Sequence, residues 1–277
     1  MNGKATVTYE AALARLLDCG PLKTWSLIVT ILGDLAAEEG ARIAGPVLSA
    51  LTEPMGVKPE ALRVAIHRLR RDGWITSERD GRNSLYGLTA HGRGLTRAVS
   101  GRVYDEAVAP PGEWHVVIAQ TAEALQALDH PGLMRIGPKA ALLPGYADHG
   151  AVQGLPATML AWRVEPGALP DWAAAALAPE EMVRAYEGLV AALDLALGLP
   201  VPEDALQATV LRLVALHEWR RLVLRHGPGV DTLLGDWAGA RARARIVALF
   251  ERLARPDVAH LAVLAQGGGL PAGESAA

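Results

Sequence analysis

The segment from residue 59 to residue 73 constrains the fold of this chain more than any other part. Pro59 stands where the first residue of a helix is expected, and Gly73 stands where that helix would end. Between them, apolar residues recur at the spacing of one helical face: Leu62, Ala65, Ile66 and Leu69. The segment therefore predicts an amphipathic helix that packs one face against a core.

Two further helices are predicted before this one, and a hairpin is predicted after it. Periodic apolar residues predict helices over 22–38 and 45–52. Residues that favour strands lie on both sides of the turn at 80–83 and predict a two-stranded hairpin over 74–89. Helix, helix, turn, helix and two-stranded wing is the order of elements in a winged helix-turn-helix. We therefore expect this fold in the first hundred residues.

The charge of the chain is unevenly distributed, although the net charge is only -3. Residues 58–102 hold ten Lys and Arg residues against four acidic residues, which leaves a balance of +6. Residues 103–277 hold 13 basic and 20 acidic residues, and residues 1–57 hold 4 basic and 6 acidic residues. The basic segment coincides with the third predicted helix and the wing. Charge and element order thus independently indicate a domain that binds a polyanion such as DNA.

The third predicted helix has a polar face opposite its apolar face. The N-terminal part of such a helix enters the major groove, so we expect Arg63, Val64 and His67 to lie nearest the base edges. Other polar residues of the helix and the wing are expected to contact the DNA backbone: Lys58, Arg70, Arg71, Arg79, Arg82 and Asn83. The alternative is an ordinary solvated charged face. The arginines near the hairpin tip favour DNA binding, because folding alone does not require them there.

The pattern changes beyond the basic segment. Pro110-Pro111-Gly112 is the clearest linker in the chain, and strands with a short helix are predicted between residues 114 and 164. From residue 179 onward only helices are predicted, over 180–197, 204–225 and 239–255. The sequence thus predicts an α+β protein with the following divisions: a DNA-binding domain with an N-terminal extension over 1–107, a middle α+β domain over 112–170, a helical C-terminal domain over 178–260 and a mobile tail over 261–277.

The predicted helix over 204–225 has apolar residues on all sides, which predicts a central position in its domain. His217, Arg221 and Arg225 recur along it at intervals of four residues. A buried arginine needs an anionic partner, which would be either a carboxylate of the same protein or a phosphate or carboxylate ligand. Together with Arg220, these residues form a candidate effector site.

Motifs for several other kinds of chemistry are missing from the sequence. Cys19 is the only cysteine, which excludes an internal disulfide and a multi-cysteine zinc site and favours a cytoplasmic location. There is no phosphate-binding loop or nucleophile elbow, and His217-Glu218 is not part of a zinc-binding HExxH helix. Neither a signal peptide nor an apolar stretch of membrane-spanning length is present. We therefore predict no cofactor, metal, catalytic site or membrane partner.

Three blocks of the sequence resemble one known family. The first block runs from Ser26 to Asp34; the second comprises Leu62–Leu69, Gly73-Trp74 and Gly81–Thr89; the third runs from Leu216–Arg221 through Leu233-Leu234 to Trp237–Arg241. In this order the blocks are similar to the PaaX-like transcriptional repressors of phenylacetate catabolism.

The resemblance implies a fold and a function. The fold is a winged helix-turn-helix, a middle ferredoxin-like domain similar to Cas2 and a helical C-terminal domain. The function is that of a homodimer on double-stranded operator DNA, with repression relieved by an aryl-acyl-CoA such as phenylacetyl-CoA. The likeness to Cas2 also raises nuclease activity, but residues 114–120 lack the aspartate that would hold its metal.

Two alternatives of other classes stay open at this point. One is a DNA-binding or architectural protein that responds to no ligand. The other is an enzyme acting on a CoA thioester, which is disfavoured because the sequence shows no pattern of nucleophile and base.

Overall fold

The computed structural model describes residues 8–105, 111–130, 132–145, 154–165 and 167–267. Within these residues the chain is a mixed α+β protein with many helices and two small sheets. This confirms the α+β class predicted from the sequence. None of the helices in these ranges combines the length and apolar character that a membrane span requires.

The N-terminal part consists of helices and a small antiparallel sheet. Its elements are α1 (Tyr9–Leu17), α2 (Thr24–Leu35), β1 (Ile43–Ala44), α3 (Gly45–Thr52), a 3-10 turn (Glu53–Met55), α4 (Pro59–Arg71), β2 (Ile75–Asp80), β3 (Asn83–Leu88) and α5 (Ala90–Tyr104). The three predicted helices and the hairpin are confirmed to within a few residues. Helix α1 and strand β1 were not predicted; β1 has only two residues and exists through its pairing with β3.

Helix α4 has the start, the end and the buried face that its sequence predicts. Pro59 occupies the first turn, where its missing N–H costs nothing, and Gly73 follows the helix with φ +73. The apolar residues of one face are buried: Leu62, Ala65, Ile66 and Leu69. In the hairpin, Asp80 pairs with Asn83, so Gly81 and Arg82 alone form the turn, and Gly81 takes the left-handed φ of +58.

The middle of the chain forms the second sheet, with its strands in the order β5-β6-β4-β7. Its elements are β4 (Glu113–Ile118), α6 (Ala122–Gln126), β5 (Met134–Arg135), β6 (Ala140–Gly145) and β7 (Leu160–Val164). All neighbouring strands are antiparallel. One face buries Val117 and Leu143. On the other face Trp114 is buried, and a Cβ on Gly229 would lie 2.6 Å from its ring, so only glycine lets the chain pass there.

The C-terminal part is helical in the residues that the structure describes. Its elements are α7 (Asp171–Leu177), α8 (Glu180–Leu197), α9 (Ala205–Val223), α10 (Val230–Leu234), α11 (Ala238–Arg252) and α12 (Val258–Gly267). Helices α8, α9 and α11 confirm the sequence prediction, whereas α7, α10 and α12 were not predicted. Every residue of α9 from Thr209 to Trp219 is buried, as expected for a helix with apolar residues on all sides.

The chain divides into two compact units. The first comprises residues 1–101, 192–218 and 248–277, and the second comprises residues 102–191 and 219–247. The sequence-based division into three domains stays a prediction: 1–107, 112–170 and 178–260. Residues 261–267, at the start of the predicted tail, are helical as part of α12. Residues 268–277, and residues 106–110 around the predicted linker, lie outside the described residues.

A buried ionic cluster holds α2 in the first unit. The side chain of Asp34, on α2, is 0% exposed and accepts two hydrogen bonds from Arg212 of α9, at 2.8 and 3.0 Å. Arg255 donates to the same carboxylate at 3.2 and 3.3 Å. Arg212 also donates to the carbonyl oxygen of Leu253 at 2.8 Å. The charge buried on α9 is therefore neutralised within the protein, as a buried arginine requires.

The second unit contains a cluster of aromatic rings around His226. The Tyr186 hydroxyl lies 2.7 Å from Nε2 of His226, and Nδ1 of His226 lies 3.0 Å from the carbonyl oxygen of Gly227. That carbonyl can only accept, so Nδ1 carries the hydrogen and Nε2 accepts from Tyr186. Burial raises the pKa of Tyr186 and lowers the pKa of His226, because both charged forms would be desolvated. The pair is thus held in its neutral form.

In the second unit, side chains also satisfy the carbonyl groups at the end of α5. Arg243 donates to the carbonyl oxygens of Arg102 and Asp105, each at 3.1 Å, and Trp219 donates to that of Val103 at 2.9 Å. The last carbonyls of a helix have no partner within it, so these bonds cap the helix end. Asp231 neutralises Arg243 at 3.1 Å. This arginine is therefore fully engaged inside the fold.

Candidate nucleic-acid interface

The polar face of α4 lies open to solvent. All of its candidate residues for DNA contact are exposed: Lys58, Arg63, Val64, His67, Arg70 and Arg71. Val64 is the most unusual of them, since this apolar side chain is 69% exposed. An exposed valine gains nothing from folding. The face therefore carries cations and one apolar group that are available to a partner.

Arg63 forms the shortest ion pair on this face. One of its terminal nitrogens lies 2.7 Å from Glu60, one turn earlier on the helix, and the two side chains are 72% and 73% exposed. An exposed pair of this kind contributes at most about 1 kcal/mol and is screened by salt. Arg63 can therefore exchange Glu60 for a stronger anionic or base partner at little cost.

The C-terminal part of α4 combines paired and unpaired cations. Arg71 lies 3.2 Å from Asp72, and Arg68 lies 3.4 Å from the other oxygen of the same carboxylate. Arg68 is also positioned over the Trp25 ring, 5.5 Å from its centroid. Arg70 forms no ion pair with any residue that the structure describes. Its guanidinium is therefore free for a phosphate.

A groove of about 470 Å³ separates α4 from the first strand of the hairpin. The helix and the strand each contribute half of its lining: His67, Arg70 and Arg71 from α4, and Ile75, Thr76 and Ser77 from β2. Two guanidinium groups and two hydroxyl groups in one groove can donate several hydrogen bonds to a phosphate backbone. Thr76 and Ser77 were not among the residues predicted from the sequence; only their position directly after the helix could have indicated them.

The hairpin presents its candidate residues on two different faces. Arg79 and Arg82 are exposed, and neither forms an ion pair within the described part of the chain. Arg79 is opposite Ser84 and shares a face with Ser77 of the groove, whereas Asn83 is opposite Asp80 on the other face. The structure therefore aligns Arg79 with the groove and separates it from Asn83.

Part of the basic segment is used inside the fold. Arg42, which precedes the basic segment, binds Glu78 at 2.7 Å and so neutralises one acidic charge of the wing. Arg93 donates to the carbonyl oxygen of Leu88 at 2.8 Å and is largely covered. Within the second unit, Arg102 donates to the carbonyl oxygens of Val223 and His226. The balance of +6 from the sequence thus overstates the charge available to a partner, because Arg93 and Arg102 are structural.

The candidate effector residues differ in their surroundings. His217 is buried in the first unit, and its Nδ1 lies 3.2 Å from the Thr30 hydroxyl. Arg220 and Arg221 belong to the second unit and are half-buried, while Arg225 is exposed and follows the end of α9. Burial lowers the pKa of Arg220. The fully buried arginine of α9 is Arg212, which sequence reasoning missed because its partner Asp34 lies 178 residues away.

The described residues contain no group of three His, Cys, Asp or Glu side chains arranged as a metal site.

The part of the chain that contains the candidate interface is similar to a known protein family. Residues 23–92 match the model of a family described as PaaX-like protein, and this range includes every candidate DNA-contact residue. The chain is 28% identical over 273 residues to "Transcriptional repressor PaaX" of Escherichia coli (strain K12), covering 88% of this chain and 85% of that protein.

One solved structure is similar to this chain in its fold. "Uncharacterized protein Rv0674 from Mycobacterium tuberculosis" matches with a TM-score of 0.53 at 21% identity, over 89% of this chain and 99% of that chain. At this identity the likeness concerns the fold alone.

Proposed function

We propose that this chain, whose resemblance to the PaaX-like family is confirmed by the match over residues 23–92, is a DNA-binding transcriptional repressor. One observation carries the proposal: the solvent face of α4 and the adjoining groove collect exposed cations, while the opposite face of α4 is buried. Lys58, Arg70, Arg79 and Arg82 form no ion pair within the described residues. A polyanion would supply the missing partners.

The finer architecture that we propose follows the order of the elements. Helices α2, α3 and α4 followed by the β2–β3 hairpin have the order of a winged helix-turn-helix. The second sheet, with antiparallel strands ordered β5-β6-β4-β7, has the strand order of a ferredoxin-like domain. The helices from α8 onward would form the C-terminal domain. This arrangement makes α4 the reading helix.

Within this fold each candidate residue has a distinct role. The N-terminal half of α4 would lie in the major groove, where Arg63 could donate two hydrogen bonds to a guanine and Val64 could contact the methyl group of a thymine. His67 lies one turn after Arg63 and would read the next base pair. Arg70 and Arg71 would bind phosphates along the groove. The wing would add the exposed Arg79 and Arg82 and the half-buried Asn83 to the neighbouring backbone.

The DNA-binding proposal can be tested with fragments selected from genomic DNA by the purified protein. We expect a short sequence with inverted half-sites to be enriched and protected in footprinting. The variant R63A/H67A should lose most of the preference for this sequence while keeping its salt-sensitive affinity for any DNA. A matched control is R184A, because Arg184 forms an equally exposed ion pair with Glu180 at 2.7 Å on α8. Equal sequence preference in both variants would contradict the assignment of α4.

We further propose that the protein acts as a homodimer at an operon of aromatic-acid catabolism and that an aryl-acyl-CoA releases it from DNA. The candidate contacts for the anionic ligand in the second unit are Arg220, Arg221 and Arg225. Release would be a population shift between two geometries of the dimer, of which only one can contact both half-sites. The ligand must bind the other geometry more tightly. We propose no catalytic role for the chain.

A screen of acyl-CoA thioesters, with DNA release and thermal stability as readouts, tests the effector. We expect one aryl-acyl-CoA to raise the melting temperature and to lower the affinity for the selected DNA. R220A/R221A should weaken this response while leaving DNA binding intact. DNA binding that ignores every thioester would favour a ligand-independent DNA-binding protein. Hydrolysis of a thioester by the purified protein would instead favour the alternative that the chain is an enzyme acting on CoA thioesters.

A further inference from the structure

A small groove lies between the helices α7, α8, α10 and α11 of the second unit. Its volume is about 360 Å³, which is in the range of sites that hold small molecules. Among the lining residues that the structure describes, Arg241 is the one charged residue and all others are apolar. Four of these are alanines, whose small side chains leave the space open: Ala174, Ala175, Ala178 and Ala238. The groove therefore combines an apolar surface with a single cation.

The indole ring of Trp237 forms a fixed wall of this groove. Its Nε1 donates a hydrogen bond to Asp231 at 2.8 Å, and its ring packs edge-on against Tyr186 and His226, with centroids 5.1 and 5.4 Å away. A Cβ on Gly239 would overlap the same ring, so glycine is required beside it. These contacts hold the ring in place before any ligand arrives. A ligand that packs against it therefore pays little for ordering the protein.

Arg241 is available to a ligand in the groove. Its one ion pair within the described residues is with Asp236, at 3.4 Å, and it makes no other side-chain hydrogen bond there. The side chain of Asp236 is 87% exposed, and a pair so open to water is weak because the solvent screens it. A planar guanidinium can bind a carboxylate through two parallel hydrogen bonds. Arg241 can therefore exchange Asp236 for the carboxylate of a ligand.

We propose that this groove binds a small monocarboxylate with an apolar body, with the carboxylate on Arg241 and the body against the alanines and the ring of Trp237. A second negative charge on the ligand would face apolar walls without a partner, which is costly. A CoA thioester lacks the free carboxylate that Arg241 binds, so free acids are the ligands. The inference goes beyond the proposed function, because it requires neither DNA nor a CoA thioester.

Calorimetric titration of the full-length protein with free acids tests the class of ligand. Phenylacetate represents an aromatic body and hexanoate represents an aliphatic one. We expect at least one of them to bind with a dissociation constant of about 1 mM or lower. The neutral amide of that acid should bind at least about 10-fold more weakly, because it loses the charge-assisted hydrogen bonds to Arg241. Equal affinity of acid and amide would overturn the role of Arg241, and failure of both acids to bind would overturn the site.

Substitutions at the ion pair test the contact with the carboxylate. R241Q should weaken binding of the acid at least about 10-fold, and R241K should weaken it less, because lysine keeps the charge but not the planar donor pair. D236N should strengthen binding by up to about 5-fold, since it removes the carboxylate that competes for Arg241. R163A is the control, because Arg163 has an exposed side chain 3.9 Å from Glu113 on β7, a strand that does not line the groove. R241Q binding the acid as tightly as R163A does would contradict the proposal.

Two neighbouring alanines of α7 test the position of the apolar body. Ala175 and Ala176 are both exposed, but only Ala175 lines the groove. A175F should weaken binding of the acid at least about 10-fold, because the phenyl ring occupies the space of the ligand. A176F should leave the affinity unchanged. Circular dichroism and the melting temperature should be the same for both variants, since neither change is made in the core. Equal affinity in the two variants would show that the acid binds elsewhere and would overturn the site.

The outcomes also separate this inference from the proposed function. A protein that binds its selected DNA and responds to an acyl-CoA, but binds neither free acid, would overturn the groove alone. A protein that binds an acid through Arg241 but shows no preference for any DNA sequence would support the groove and contradict the proposed repressor.

Discussion

The arginines of α4 and its hairpin differ from those of α9 and α11 in what surrounds them. Arg70 and Arg79 are exposed and form no ion pair within the described residues, whereas Arg212 and Arg243 are buried and bound to carboxylates and main-chain carbonyls. The residue type is the same in both places. Whether an arginine can bind a partner therefore depends on whether the fold has already satisfied its donors.

The largest effect on stability is expected when the carboxylate that neutralises Arg212 is removed. We expect D34A to lower the free energy of unfolding by about 3–5 kcal/mol, because it leaves a buried guanidinium without its main anionic partner. Urea denaturation followed by circular dichroism measures the loss. The double variant D34L/R212L should be less destabilised than D34A, since it removes both charges. A loss below 1 kcal/mol for D34A would show that Arg212 is not held by this pair.

The His226 cluster should make stability depend on pH. Burial lowers the pKa of His226 in the folded chain, while nearby Asp231 opposes the shift and Arg102 and Arg243 add to it. Below the ordinary pKa of about 6.5 the unfolded chain therefore binds more protons than the folded one. The free energy of unfolding should fall as pH decreases from 6.5, by up to about 1.4 kcal/mol per pH unit. This stability is fully present above pH 6.5.

Denaturation curves between pH 5 and pH 8 measure this dependence. H226Q should flatten the curve, because glutamine does not titrate. H260Q is the matched control, since His260 is exposed on α12, and its curve should match that of the unmodified protein. Identical pH dependence in the two variants would exclude His226 as the cause.

Removing an exposed arginine should affect DNA binding and leave folding stability almost unchanged, unlike the loss of the buried Asp34–Arg212 pair. We expect R70A and R79A to change the free energy of unfolding by no more than about 0.5 kcal/mol. Each should reduce the steepness with which DNA affinity falls with log salt by about 0.9 per protomer, the value for one lost phosphate contact. Fluorescence anisotropy at several salt concentrations provides the slope. An unchanged slope, together with a lower free energy of unfolding, would show that these arginines have a structural role like that of Arg212.

The smallest effect is expected for Val64. V64A should leave folding stability within about 0.5 kcal/mol, because the side chain is exposed. It should reduce discrimination at a single base pair of the operator, where the methyl group of thymine would be contacted. Affinity measured for all four bases at each position identifies that base pair. A uniform loss across all positions would indicate that Val64 does not read DNA directly.

The sequence predicted the elements of the candidate interface better than their electrostatic state. Pro59, Gly73 and the periodic apolar residues between them specify α4 locally, and the turn residues specify the hairpin. The same reasoning counted Arg93 and Arg102 as available charge, although the fold uses both as donors to main-chain carbonyls. It also gave no indication that the pleat of the hairpin separates Arg79 and Asn83 onto two faces.

By itself, the sequence determined the α+β class, the position of α4 and the two strands of the hairpin, because helix starts, glycine turns and apolar periods act over a few neighbouring residues. Only the tertiary structure decided which arginines are buried and neutralised. Their partners lie far away in the chain: 178 residues separate Asp34 from Arg212, and 141 separate Arg243 from Arg102. Such pairs form only when distant elements pack together, and no local sequence pattern indicates which residues will meet.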